Sequence, residues 1–530
     1  MAGEGGVSAT TDPLAEGDRL AKSGDSAGAL AAYESAFDGA PITARRRAAD
    51  VLLETGQAQG ALTHAEEAWR IAPDAPEALL LMGRVAWRVG AVKDALRCLD
   101  RIDANSEFWP AAQAERAGAL LADNRPDAAY GHVREALKQN AGEPALWLAM
   151  GHALMGLDRL EDAESAYRKT ADLLPESGRA LAGVAEVCMR LGRPQEAVEA
   201  GEQAVETSGN DPVARTVLAH ALLAVGRHEE GWAAYEARFK AHTLDRRIGV
   251  RPRPFESPSW NGSDLADSSI LVWGEGAATD EVYFAALLPL IMAQKAQPLV
   301  LECDPRLESL FARSFSEATV IARSNPPAEE ITGRFFNWQS AIGGLALRLK
   351  AYENNYSAMA SGYLAADPDK TERWRGRWTE GGGGRVIGLA WRHPDTEAAR
   401  RSVELATLLD GLAKPGRSVI SLQRGMTEDE RLAAGERMQL EPDWDTENVD
   451  DLAARIAACD VVVTIDSLVA HLAAGLGRDT RVLLDTGADG RWGVGLARMP
   501  WYPSARLYWQ DRDGAWNKAV ATLTQAVDGG

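Results

Sequence analysis

The sequence predicts an α-helical solenoid followed by an α/β part made of two Rossmann-like halves. Three observations predict it. A 34-residue period runs from residue 76 to about 240. Short apolar strands alternate with helices from residue 268, the mark of a parallel sheet. A glycine run, "EGGGGR" at 380–385, then divides the second part. At 530 residues the chain is too long for one core, and two to four domains are expected.

The repeat comes first because it sets the phase of everything before residue 240. Units starting at 76, 110, 144, 178 and 212 carry Gly83, Ala117, Gly151, Ala185 and Ala219 at their eighth positions. Their twentieth positions are Ala95, Ala129, Ala163, Ala197 and Gly231. Small residues there let the two helices of a hairpin approach closely, while Leu79, Trp147 and Tyr167 fill the space between hairpins. Gly90, Asn124, Asp158, Gly192 and Gly226 supply the turns. Two earlier units start near 10 and 42, marked by Ala29 and Ala61, and end in Pro41 and Pro73. A solenoid of this kind presents a groove, so a bound protein segment is expected. After Arg238 the pattern fades, and Pro252, Pro254 and Pro258 break it.

The expected domains are therefore a solenoid over 1–240, a linker over 241–264, a first Rossmann-like half over 265–380 and a second over 381–530. In the first half, "SSILVW" and "PLVLEC" read as strands. The second half reads as strand "RVIGLAW", a helix near 402–413, strand "SVISLQ", helices near 427–436 and 449–458, strand "DVVVTID", a helix at 467–476 and strand "RVLLD". Two such halves around a hinge make a clamshell, with the ligand at the carboxyl ends of the strands.

Composition narrows the function. Net charge is −20 and the pI is about 5.0, a surface that repels nucleic acid and anionic membranes and leaves an anionic substrate dependent on a local basic pocket. Cys98, Cys188, Cys303 and Cys459 are isolated, so neither structural zinc nor disulfides are expected. No apolar run is long enough for a membrane helix. The start of the chain lacks the pattern of a signal peptide, so the expected location is cytoplasmic. No glycine-rich dinucleotide or P-loop motif, H-E-x-x-H or G-x-S-x-G is present, which disfavours dehydrogenase, NTPase, metalloprotease and hydrolase chemistry.

Several stretches resemble known families. The 34-residue pattern resembles the tetratricopeptide repeat. "EGWAAYEARF", "PSWNG" and "ILVWGEGAATDEVYFAALLPL" resemble the junction of bacterial tetratricopeptide–glycosyltransferase proteins, and "DVVVTIDSLVAHLAAGLG" and "MPWYPSARLYWQ" look like their carboxyl half. That catalytic part is similar to heptosyltransferases, glycosyltransferase family nine, with the GT-B fold. The resemblance runs from about residue 10 to the end.

The resemblance implies a metal-independent transfer from a nucleotide-activated sugar, with no cofactor. Asp280 aligns with the family's general base facing the acceptor, and Glu275 keeps an acidic position ahead of it. The family's Gly-Leu-Gly is replaced by Ala277-Ala278-Thr279, which would strain the loop if positive φ were required there. Arg400 and Arg401 stand where the family carries a basic stretch, ahead of Ser402 as a candidate helix cap, and suit a donor phosphate. Arg424 takes a position usually held by lysine, with Gln423 beside it. Asp466 ends a strand and can accept bonds from sugar hydroxyls. Ser467 opens a helix, where free N–H groups attract phosphate, and His471 lies one turn on. Relatives with this layout include enzymes that glycosylate flagellin serines and threonines, some using a nonulosonic acid carried on CMP. A flagellin-like protein acceptor is thus the specific expectation. The alternatives are a non-catalytic scaffold with a degenerate GT-B domain and a transferase acting on a glycan or lipid core.

Overall fold

The computed structural model describes residues 12–244, 248–354, 356, 362–380, 384–393, 400–440, 448–511 and 514–529. Contacts divide the chain into two units. One holds Met1–Val187, Glu199–Val217 and Ala237–Gly249, and the other Cys188–Val198, Leu218–Glu236 and Val250–Gly530.

Seven helical hairpins follow one another: α1 (Pro13–Lys22) and α2 (Ser26–Ser35), α3 (Pro41–Glu54) and α4 (Ala58–Ile71), α5 (Pro76–Arg88) and α6 (Val92–Leu99), α7 (Trp109–Ala122) and α8 (Pro126–Gln139), α9 (Pro144–Gly156) and α10 (Leu160–Leu173), α11 (Gly178–Arg190) and α12 (Pro194–Thr207), α13 (Pro212–Ala224) and α14 (His228–Tyr235). The turn within every hairpin uses the left-handed region, with φ of 81° at Gly24, 76° at Gly56, 95° at Gly90, 55° at Asn124, 56° at Asp158, 68° at Gly192 and 81° at Gly226. Glycine, asparagine and aspartate are the residues that adopt it cheaply, so the sequence period is a period of backbone geometry. The helix approach is as tight as the small residues suggest. A Cβ on Gly83 would stand 2.5 Å from Leu99, and one on Gly151 would stand 2.4 Å from Tyr167.

In the first unit the odd-numbered helices also pack on one another, α3 on α5, α5 on α7 and α7 on α9. A ladder of ion pairs links the first three of them. Arg46 reaches Glu77 at 2.8 Å and Asp50 at 3.2 Å, Arg84 reaches Asp50 at 2.7 Å and Glu115 at 2.8 Å, and Arg88 reaches Glu115 at 2.8 Å. The short helix α15 (Arg238–Leu244) belongs to this unit and packs against α3.

The second unit holds two all-parallel sheets. β1 (Ile270–Trp273), β2 (Leu299–Cys303), β3 (Thr319–Ala322) and β4 (Trp338–Ala341) form the order β3-β2-β1-β4. Of these the sequence reading found β1 and β2. β3 is partly exposed and β4 mixed, and neither shows the apolar run that marks a buried strand. The connecting helices are α16 (Ala278–Ala285), α17 (Leu288–Met292), α18 (Glu308–Ser314), α19 (Glu329–Thr332) and α20 (Leu345–Leu349). Then come α21 (Pro368–Thr379), β5 (Arg385–Ala390), α22 (Leu405–Leu412), β6 (Arg417–Ser421), α23 (Glu428–Ala434), α24 (Val449–Ala457), β7 (Val461–Ile465), α25 (Leu468–Gly475), β8 (Asp479–Leu484), β9 (Ala505–Trp509) and α26 (Asn517–Asp528). The second sheet has the order β6-β5-β7-β8-β9. Its core of Ile387, Leu389, Val461, Val463 and Leu483 packs under Leu408, Leu409 and Leu412 of α22 and Leu523 of α26.

Three boundaries differ from the sequence reading. α14, expected in the solenoid, lies in the second unit, where Trp232 donates from its indole to the Tyr356 hydroxyl at 3.0 Å and Glu236 pairs with Arg348 at 2.6 Å. α21, expected in the first half, packs on α24 of the second sheet, with Lys370 on Asp450 at 2.6 Å and Arg375 on Asp460 at 2.8 Å. Residues 241–249 of the expected linker join the solenoid unit. Residues 381–383 of the expected hinge lie outside the described residues.

Candidate active site

The carboxyl ends of β1, β5, β6, β7 and β8 carry nearly every residue singled out from the sequence, because a side chain placed just past a parallel strand projects beyond the sheet edge. The β1–α16 loop comes first. Its left-handed residue is Gly276, at φ 68°, and Ala277 stands at φ −89° as the helix cap. Ala277, Ala278 and Thr279 all lie outside the left-handed region, so the loop strain expected from the absence of glycine there does not arise. Asp280 uses both carboxylate oxygens. Oδ2 accepts from the Ala277 amide at 3.0 Å, and Oδ1 pairs with the Arg491 guanidinium at 2.8 Å. Glu275 is buried in the same loop.

Arg491 was not singled out from the sequence. It follows β8 in a turn capped by Asp489, and Asp489 Oδ2 accepts from its Nη2 at 2.6 Å and its Nε at 3.0 Å. The guanidinium sits 4.8 Å from the ring centre of Tyr283 and 5.5 Å from that of Phe284. Its Nη1 is buried without a hydrogen-bond partner among the described residues. Burial works against the Arg491 charge, but Asp489 and Asp280 outweigh it and hold the group firmly cationic. Burial likewise opposes the Asp489 charge, and Arg491 pulls that carboxyl far below its ordinary value. The available signal was position, since "DTGADGRW" follows a buried strand directly.

At the end of β7, Asp466 lies 3.7 Å from His471 Nε2, and His471 Nδ1 shares a hydrogen bond of 2.9 Å with the Tyr502 hydroxyl. Burial would raise the Asp466 pKa, but the His471 contact and the Arg401 charge hold it below the ordinary value. Ser467 begins α25 without capping it. Its hydroxyl donates back to the Ile465 carbonyl at 3.1 Å, which leaves the first N–H groups of α25 without a side-chain acceptor from it. Arg401 Nε stands 3.6 Å from Asp485 at the end of β8. Arg400 is half-buried, and its carbonyl accepts from Gln510 at 3.2 Å. Residues 394–399 of the tract ahead of it are outside the described ones. Ser402 is not a helix cap. It accepts the His393 amide at 3.1 Å, and Glu404 precedes α22 instead.

Gln423 is spent on the fold. Its Oε1 accepts the Trp391 and Arg392 amides at 3.0 and 2.9 Å, and its Nε2 donates to the Arg392 and Arg424 carbonyls at 3.1 Å each. It fastens the β5 and β6 ends together, and Arg424 beside it is exposed. Asp280 thus sits beyond the end of β1, Arg401 beyond β5, and Asp466, Ser467 and His471 at the end of β7, while Gln423 ties the ends of β5 and β6.

α16 and α25 pack directly on each other. Tyr283 stacks on Trp501 with ring centres 4.4 Å apart and planes at 14°, and the Trp501 indole donates to the Tyr283 carbonyl at 3.1 Å. Tyr363 donates to the Val282 carbonyl at 2.6 Å. Carboxylates, one imidazole, a buried arginine and an uncapped helix start therefore share an aromatic-walled edge, which provides proton acceptors and anion-stabilising donors. Asp280 and Asp489 turn toward Arg491 rather than toward a common metal position. Among the described residues no helix is long and apolar enough to cross a membrane.

Comparison with known proteins adds the following. Tetratricopeptide repeat models match residues 14–76 and 148–212, and a second such model matches 52–117. Protein FlbA of Caulobacter vibrioides is 28% identical over 499 residues, which span 89% of this chain and 82% of FlbA. Among solved structures, the APC/C hetero-tetramer Cut9–Hcn1 is similar with 16% identity and a TM-score of 0.36 over 44% of this chain and 46% of that one. TTC0263, a tetratricopeptide protein of Thermus thermophilus, gives 21% identity and a TM-score of 0.26 over 40% and 97%. Likenesses at those scores carry no further argument. The helical hairpins of the amino-terminal part are tetratricopeptide repeats.

Proposed function

We propose that this chain is a protein glycosyltransferase of the GT-B type. It moves a sugar from a nucleotide-activated donor, CMP-linked nonulosonic acids among them, to a serine or threonine of a flagellin-like protein held by the repeats. Tetratricopeptide repeats are protein-binding modules, and the similarity to FlbA over most of the chain supports a flagellum-linked role. The observation that carries the transfer chemistry is the uncapped start of α25 next to Asp466, whose carboxylate feels the Arg401 charge. In the reaction, the acceptor oxygen attacks the anomeric carbon and its proton passes to Asp280. The bond from that carbon to the donor phosphate breaks, and the electron pair leaves on the phosphate. Arg400, Arg401, Arg424 and the α25 N–H groups stabilise that charge. The Arg491 bridge has to open for Asp280 to accept the proton.

Incubation of the full chain with a flagellin and a panel of CMP-, UDP- and GDP-linked sugars, read by mass spectrometry, tests this. A sugar-sized mass gain on the acceptor is expected. Neither transfer nor donor hydrolysis across the panel would sink the proposal. The occupied oxygens of Asp280 favour one other reading, a scaffold in which the repeats bind a flagellar protein and the α/β unit does no chemistry. In that case the acceptor binds and gains no mass with any donor.

A further inference from the structure

The turn that carries Arg491 is held from two sides, and one of them is helical. Residues 485–494 follow β8 and lie against the α11–α12 turn and the carboxyl end of α13, segments that belong to the same unit. The approach is at backbone distance. A Cβ on Gly487 would stand 2.7 Å from the Arg190 carbonyl oxygen, one on Gly490 2.5 Å from that of His220, and one on Gly192 3.1 Å from that of Thr486. The Val494 amide donates to the Ala224 carbonyl at 3.3 Å. Absent side chains at Gly487 and Gly490 admit this contact.

On its other side the turn reaches the candidate site at two points. Arg491 covers Asp280, and the buried Trp492 lies with its ring centre 4.9 Å from that of His471. Arg491 is fixed to its own turn, because Asp489 holds its Nε and Nη2 and the rings of Tyr283 and Phe284 flank its guanidinium. Releasing Asp280 therefore calls for movement of the turn as a body. Gly493 and Gly495 at its end have φ of 73° and 77°, backbone that suits a hinge.

We propose that residues 485–494 form a gate on Asp280 whose seat is the α11–α12 turn and the end of α13, and that an acceptor protein bound by the repeats opens it by shifting that seat. Seated, the turn lays Arg491 on the base. Lifted, it carries Arg491 and Asp489 away together and frees an Asp280 oxygen for the acceptor proton. Without acceptor the donor then meets no active base, which limits its loss to water. The acceptor has to bind the open form more tightly than the closed one. The proposal rests on the reading of Asp280 as the base.

Carbodiimide with glycinamide labels accessible carboxylates, and peptide mass spectrometry of the full chain reads Asp280 and Asp489 side by side. The labelling uses no donor, so the gate is read separately from transfer. Gly490→Ala pushes the turn off α13, and Gly192→Ala pushes on it from the helical side. Each is expected to speed Asp280 labelling at least about tenfold over wild type, and saturating flagellin should do the same to wild type. Asp489 should stay slow throughout, since it travels with Arg491. Unchanged Asp280 labelling in the variants, or in wild type with flagellin, would overturn the proposal. Equal acceleration at Asp489 would mean that the turn unfolds instead of lifting, and would overturn it too.

Discussion

Glu115 in the repeats and Glu281 in the α/β unit are both carboxylates beside arginine, yet their surroundings drive them in opposite directions. Burial works against the Glu115 charge, but Arg88 and Arg84 flank it and the Trp87 indole donates to it at 2.9 Å, so its pKa falls to about 2. Glu281 is fully buried at the β1–β2 edge. Burial dominates there. The Arg323 guanidinium at 2.9 Å and the Asp304 amide at 2.7 Å offset only part of it, and the pKa rises to about 8. Glu115 has two arginines and an indole to offset its burial, whereas Glu281 has one arginine and two further carboxylates, Asp304 and Glu302, acting against its charge.

The largest effect is expected at the strand ends. Asp280→Asn removes a proton acceptor without changing size, and transfer measured with a working donor should fall by roughly 10²–10⁴. Equal rates would remove Asp280 from the mechanism. A scaffold has no rate to lose, so the measurement also separates the two functional readings.

The contrast itself can be broken by pH. Glu281 has a raised folded pKa, so its contribution is fully present below its unfolded value and is lost as pH rises toward about 8. Glu281→Gln should therefore be increasingly stabilised over wild type from about pH 5 to 8, by on the order of 3–5 kcal/mol. Glu115 has a depressed folded pKa, so its contribution is present above the unfolded value and is lost as pH falls toward about 2. Glu115→Gln should be destabilised at neutral pH by about 3 kcal/mol and match wild type near pH 2. Denaturant titrations of both variants across pH check the pair, and parallel curves would abolish the distinction.

Removing an arginine from each region sharpens it. Arg491→Leu strands Asp280 and Asp489 on a largely buried edge and should cost about 3 kcal/mol. Arg84→Leu leaves Asp50 and Glu115 with Arg46 and Arg88 as remaining partners and should cost about 1 kcal/mol. Similar melting shifts would show that the ladder is no more redundant than the strand-end pair. The smallest effect is on ligand affinity. Arg401→Ala should weaken CMP or UDP binding roughly tenfold with the fold intact, as measured by calorimetry. Unchanged affinity would leave Arg401 to its pairing with Asp485 alone.

The repeats were legible from sequence down to the residue. Each turn needs a left-handed backbone and each helix contact a missing side chain, and both demands fall on single residues at fixed spacing, from Gly90 to Gly226 and at Gly83 and Gly151. The buried strands β1, β2, β5 and β7 were equally plain, because a strand covered on both faces is a near-continuous apolar run. The candidate residues at strand ends were placed there by position, without their partners. What only the tertiary structure decided are the pairings between distant parts. Asp280 meets Arg491 across 211 residues, Gln423 is consumed by the Trp391 and Arg392 amides, α14 joins the α/β unit, and α15 turns back onto α3. Local sequence records what one turn of backbone requires of its own residue. Which two groups share a buried edge is set by the topology that brings them there, and no local spacing records it.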